Sequence, residues 1–157
     1  MDKIKKFKKE KLVRLDILDK IIDLKEIEIL ERENFVENYF NMKTLMELFE
    51  DERVKIIVAK AEEKIIGYIS VYDNEDSLDI MKIAVKEDYK RKKIGTRLLN
   101  FVIDNFNKKI FLEVRESNLR AINFYTRYGF AKISIRKNYY KDNNENAIIM
   151  LCEKNNG

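Results

Sequence analysis

Three stretches of the chain combine residue types and spacing that could do chemistry. In "KIFLEVR", residues 109–115, the carboxylate Glu113 is set inside an apolar run. Alternation along a strand puts it on the face of Phe111, opposite Ile110, Leu112 and Val114. On a partly desolvated face its pKa would rise toward the range useful for proton transfer. A solvent-facing strand carboxylate is the plainer alternative. In "NFYTRYGF", Tyr125 offers a phenol, although helical spacing by itself makes it a core aromatic. In "DYKRKKIGTRLL", residues 88–99, Lys90, Arg91, Lys92 and Lys93 run straight into Ile94, Gly95, Thr96 and an apolar helical stretch. Such a run could be solvated surface, a contact to a nucleic-acid backbone, or a cradle for one phosphorylated ligand.

The chain has no histidine. Acid–base work must therefore come from carboxylate, tyrosine, lysine, cysteine or water, and a His-ligated metal is excluded; no metal is expected. A strand entering a Gly-containing turn and then a helix gathers unpaired N–H groups and the positive end of the helix dipole. Gly95 lets a ligand approach the backbone closely. That geometry suits one pyrophosphate better than a duplex, which needs basic and aromatic residues spread over a face.

The elements that must position these residues follow from hydrophobic periodicity. "KLVRLDI" reads as a strand, Ile21 to Leu30 as a helix, and "FNMKTLMELFEDE" as a second amphipathic helix. "VKIIVAKA" and "KIIGYISVY" are strands joined by Glu62-Glu63, and "LDIMKIAVKE" is a third strand. "KKIGTRLLNFVIDNF" is a helix with Leu98, Leu99, Val102, Ile103 and Phe106 on one face. "KIFLEVR" is a strand, "NLRAINFYTRYGF" a helix closed by Gly129, and "AKISIRKNYY" and "NAIIMLCE" are a final strand pair. The order β-α-α-β-β-β-α-β-α-β-β predicts a mixed α+β fold.

Composition sets the outer limits. A length of 157 residues predicts one domain spanning 1–157, and 45% hydrophobic with 38% charged residues fits a soluble globular protein. No apolar run is long enough to span a membrane, and none marks a signal peptide. A single cysteine, Cys152, leaves no internal disulfide and suits a reducing cytoplasm. The net charge of +4 is too small to argue for nucleic acid, and six lysines within residues 1–11 make a basic N-terminal arm. Oligomeric state is left open, a monomer included.

"IAVKEDYKRKKIGTRLL" resembles motif A of the GCN5-related N-acetyltransferases, whose acetyl-CoA loop follows a Q/R-x-x-G-x-G/A pattern. Lys90 stands where Gln or Arg is usual, Lys93 replaces the first Gly, and Gly95 keeps the second. "LEVRESNLRAINFYTRYGFAKISIRKNYY" followed by "NAIIM" is similar to the RimI-type members, which acetylate the N-terminal alanine of a small-subunit ribosomal protein, the eighteenth. "LERENFVENYF" resembles their I-E-x-x-x-F-x-x-P-W segment, with Asn38 for Pro and Tyr39 for Trp.

The resemblance implies a central, mixed, mostly antiparallel sheet of six to seven strands with about four helices. It implies acetyl-CoA as co-substrate and a ribosomal-protein N-terminus as acceptor, with no direct role for nucleic acid or membrane. Glu113 would be the general base, and Tyr125 would protonate the departing thiolate. Ile83, Ala84 and Val85 would pair with the pantetheine amides, residues 90–96 would cradle the pyrophosphate, and Asn118 would contact CoA or simply cap its helix. Tyr39 would face the peptide, and Tyr139 and Tyr140 would hold its backbone. Glu31, Glu33 and Glu37 are expected to form an acidic approach for a basic substrate. The rivals are a related acetyltransferase acting on lysine, a small amine or other N-termini, and a non-catalytic RNA- or ribosome-binding module.

Overall fold

The computed structural model describes residues 12–36 and 38–153; the basic arm 1–11 and Glu37 lie outside them. In chain order the elements are β1 (Arg14–Ile17), α1 (Leu24–Asn34), α2 (Met42–Glu50), β2 (Val54–Ala61), β3 (Lys64–Asn74), β4 (Ser77–Val85), α3 (Ile94–Asn105), β5 (Lys109–Arg115), α4 (Leu119–Arg127), β6 (Ala131–Arg136) and β7 (Ala147–Cys152). Short 3-10 turns at Ile21–Asp23 and Glu87–Tyr89 lead toward α1 and α3. The strands form one seven-stranded sheet in the order β1-β2-β3-β4-β5-β7-β6, the mixed α+β architecture that the sequence predicts.

Every strand pair is antiparallel except β4 with β5. Glu62 and Glu63 both take left-handed backbone, with φ of 51° and 67°, and so close the β2–β3 hairpin without a glycine. One core packs Leu98, Leu99 and Val102 of α3 and Tyr125 of α4 against Ile69, Val71, Leu78, Ile110, Leu112 and Val114. On the other face, Leu24, Ile27 and Leu30 of α1 and Leu45 of α2 pack against Ile56, Val58, Tyr68 and Ala84. The Asn41 side chain caps α2 by accepting from the Thr44 N–H at 2.9 Å.

Two irregularities of β4 shape everything downstream. Its register with β5 covers only Ser77 to Asp79 against Lys109 to Phe111, so the two strands part toward the Val85 end. Against β3, Ser70 pairs with Lys82 and Val71 with Ile80, leaving Met81 as the extra residue of a bulge.

Candidate active site

The gap between β4 and β5 is the natural seat for an extended ligand. Ile83, Ala84 and Val85 pair with Ile69, Tyr68 and Gly67 on one edge only, and the opposite edge faces the splay. Buried strand backbone needs hydrogen-bond partners, and an amide-bearing chain laid in the gap would supply them. Ala84 is buried, while Ile83 and Val85 are half-buried against the α3 core.

The turn that follows has the form of an anion cradle. Arg91 and Lys93 both adopt left-handed backbone, with φ of 64° and 62°. Left-handed residues alternating with others turn neighbouring N–H groups toward a common concavity. Lys93 is the N-cap of α3, with no side-chain cap hydrogen bond, so the first-turn N–H groups keep their capacity for an anion. Lys93 thus holds the left-handed geometry in which glycine is at ease. A Cβ on Gly95 would meet Ile83 Cδ1 and Phe124 Cζ at 3.8 Å, ordinary contact, so packing does not demand glycine there. Lys90 reaches back to Glu87 at 3.0 Å, Lys92 lies 5.5 Å from the Tyr89 ring centroid, and the Thr96 hydroxyl is engaged with that of Tyr128 at 2.9 Å. Acetyl-CoA fits this arrangement: a splay for its amide-bearing arm and a backbone cradle for its phosphates.

Glu113 points away from Ile110, Leu112 and Val114, onto the α1–α2 side of the sheet. The residue is exposed, with its side chain at 32% of full exposure. Arg136 of the neighbouring β6–β7 unit lies 3.4 Å from its Oε1. The Glu113 carboxylate also draws the Tyr139 hydroxyl and raises that phenol's pKa. Deeper in the same face, burial pushes the Asp79 carboxyl up, with Asn74 opposing and Glu113 adding to the rise.

Tyr125 lies on the other side, 7% exposed, its ring edge-on to Phe124 and Phe130 at 5.2 and 5.5 Å. Burial raises its pKa well above that of a free phenol. It is a core aromatic by packing, yet its hydroxyl is not among the fully buried unpartnered polar atoms. Asn118 caps α4 by accepting from the Ala121 N–H at 3.2 Å.

The connections flanking Glu113 are held by side chains. Arg115 bonds Asp142 and Glu145 and stacks 3.9 Å from the Tyr140 ring centroid, whose own neighbour Tyr139 sits edge-on at 5.1 Å. On the α1–α2 side, Arg32 lies over the exposed Tyr39 at 5.5 Å. Of the expected acidic approach, Glu33 is exposed and Glu37 lies outside the described residues. Glu31 corrects the expectation. It is completely buried and ion-paired with Lys82 at 3.2 Å, because it continues the inner stripe of α1 set by Leu24 and Ile27. The spacing 24, 27, 31 carried that signal. Lys82, Arg136 and Arg115 were not singled out from the sequence; a lysine inside the apolar run "MKIAV" was the one visible cue.

The family model described as "Acetyltransferase (GNAT) family" matches residues 21–130. Over 81 residues the chain is 43% identical to the [Ribosomal protein bS18]-alanine N-acetyltransferase of Escherichia coli (strain K12), a match covering 48% of this chain and 55% of that protein. It is 31% identical over 154 residues to the N-alpha-acetyltransferase of Saccharolobus solfataricus, covering 87% of each. The crystal structure of the ribosomal-protein-S18-alanine N-acetyltransferase from Escherichia coli superposes with a TM-score of 0.79 at 29% identity, over 92% of this chain and 98% of that one.

Proposed function

Because the chain belongs to the acetyltransferase (GNAT) family and is an acetyl-CoA-dependent N-acetyltransferase, we propose that its acceptor is a protein α-amine, foremost the N-terminal alanine of ribosomal protein bS18. The observation that carries this reading is the placement of Glu113 beside the β4–β5 splay, exposed to the acceptor side and flanked by Arg136 and Tyr139. An exposed carboxylate at that lip can take a proton from an incoming amine, directly or through water.

Energetics favour an α-amine. Its ordinary pKa of about 7.7–8.0 makes deprotonation at pH 7.4 cost under about 1 kcal/mol, against about 4 kcal/mol for a lysine near 10.4. A single solvated carboxylate suffices for the first. Acetyl-CoA supplies the acetyl group as a thioester, and in this reading a main-chain N–H of Val85 or a neighbour polarises its carbonyl. Tyr125 then meets the leaving sulfur. A thiol near pKa 8.5 is a stronger acid than even an unshifted phenol by roughly 1.5 units, about 2 kcal/mol. Burial widens that gap, so Tyr125 acts by hydrogen-bonding the developing thiolate, and the sulfur takes its final proton with help from solvent.

Tyr139 and Tyr140 lie by Glu113, and we assign them, with Tyr39 of the α1–α2 connection, to the peptide backbone. The test is turnover of acetyl-CoA with a panel of peptides: one beginning Ala-Arg-Tyr, others with different first residues, and one whose only free amine is a lysine side chain. Preferred modification of the alanine α-amine, located by mass spectrometry, is the expected result. Turnover confined to the lysine peptide would overturn the reading.

A further inference from the structure

We propose that Lys82 and Glu31 are positioning residues that lock the α1–α2 connection onto β4 and thereby set where the acceptor amine meets the thioester. The inference rests on the N-acetyltransferase reading above. Lys82 sits on the same strand as Ile83, Ala84 and Val85, one residue past the bulge at Met81. Its ammonium lies 3.2 Å from Glu31 Oε1 and donates to the Asn38 carbonyl at 2.5 Å. The rings of Phe35 and Phe40 close over it at 4.3 and 4.0 Å from their centroids. The same Glu31 oxygen accepts the Phe40 N–H at 3.2 Å. Three residues of the connection, Phe35, Asn38 and Phe40, therefore converge on one cation that β4 supplies.

Stability alone does not account for this arrangement. Glu31 is 0% exposed; the buried Tyr68 hydroxyl is drawn to its carboxylate, and the buried Ser70 Oγ has no hydrogen-bond partner. Ser70 and Tyr68 lie directly across from Lys82 and Ala84 on the neighbouring strand. Burial pushes the Glu31 carboxyl up and the Lys82 ammonium down, each resisted by the other. A buried ion pair is commonly matched or bettered in stability by apolar side chains of similar volume. What apolar side chains cannot reproduce is the directional hold on the Asn38 carbonyl and the Phe40 N–H. That hold fixes Tyr39, which lies between them, relative to the strand that carries the acetyl donor.

The double variant Glu31→Leu/Lys82→Met removes both charges without leaving either one buried alone. It should melt no lower than wild type and bind acetyl-CoA within twofold by calorimetry. Hydrogen exchange at the amides of residues 38–40 should speed up at least tenfold, and KM for the alanine-terminated peptide should rise about tenfold while kcat falls less than threefold. Unchanged exchange and unchanged KM would overturn the proposal. Glu31→Leu/Lys82→Leu repeats the test with a different apolar pair, with the same expected rise in KM and no change in acetyl-CoA affinity; an unaltered KM there also counts against it. Exchange and cofactor affinity need no acceptor. If wild type modifies only lysine peptides, the acceptor reading falls, and the same KM comparison on that peptide still decides the role of Lys82 and Glu31.

Discussion

Around the β4–α3 turn, position is held by main chain: two left-handed residues, an uncapped helix start, and a strand edge left open by the splay. On the acceptor side, position is held by side chains: Lys82 with Glu31, Glu113 with Arg136, Arg115 with Asp142 and Glu145. A site made of backbone depends on the path of the chain and tolerates exchange of exposed side chains. A site made of side-chain pairs depends on the identity of each partner. Donor binding should therefore be robust to most side-chain changes along the turn, whereas acceptor use should respond to single substitutions far apart in sequence.

The sharpest break between the two sides should come from Glu113→Gln. Loss of the proton acceptor should lower kcat/KM by about 10²–10³-fold at pH 7, within the usual range for general-base catalysis. Acetyl-CoA affinity should stay unchanged. Activity should recover in part as pH rises, because the amine then deprotonates unaided. A comparable loss of acetyl-CoA affinity by calorimetry would mean that the two sides are not separable.

The converse substitution is Gly95→Asp. The added Cβ has room at 3.8 Å from its nearest neighbours, so the melting temperature should hold. The carboxylate would stand where N–H groups and the α3 dipole favour an anion, and acetyl-CoA affinity should fall by about a hundredfold or more, the equivalent of roughly 3 kcal/mol. Unaltered affinity by calorimetry would remove the cradle from this turn.

The same contrast governs what the sequence discloses. Backbone-made features leave a local signature: "KRKKIGT" between a strand and a helix marks the left-handed turn proposed as the cradle, and apolar alternation marks the strands. All seven strands and four helices were legible on that basis. The pairing of side chains leaves none, because Lys82 and Glu31 are fifty-one positions apart, although the α1 stripe and the apolar run each mark one partner. The type of Glu31 suggests solvent, while its place on the α1 stripe assigns it to the core. Glu113 was legible as to face, but its exposure depended on a splay and a β6–β7 connection that no local pattern encodes.

A smaller effect should come from the hairpin anchor Glu145. Its Oε1 accepts the Ser117 N–H at 2.6 Å, and the Ser117 contacts pull its pKa from 4.5 down to about 2. A depressed folded-state pKa contributes stability that is full above the ordinary value and is lost as pH falls from about 4.5 to about 2. Glu145→Gln should therefore melt below wild type near neutrality, with the gap closing across that window. Its loosened hairpin should raise peptide KM about threefold without affecting acetyl-CoA. A melting difference that is constant with pH would detach Glu145 from the Ser117 anchor.

The least effect is expected at the most conspicuous departure from the family pattern, Lys93. A non-glycine residue in left-handed backbone costs roughly 1–2 kcal/mol locally. Lys93→Gly relieves that strain, but it also frees the unfolded chain, which gives back roughly 0.4–1 kcal/mol. The net should be a slight stabilisation, visible as a rise in melting temperature of about 2–4 °C per kcal/mol gained. Acetyl-CoA affinity should move less than threefold, because the N–H groups point the same way in both proteins and the exposed ammonium adds only a screened attraction. Raising the salt to about 0.5 M should erase even that difference. A tenfold or larger loss of affinity would mean that the Lys93 ammonium carries the phosphate contact. Donor binding would then rest on side chains after all, just as the acceptor side does.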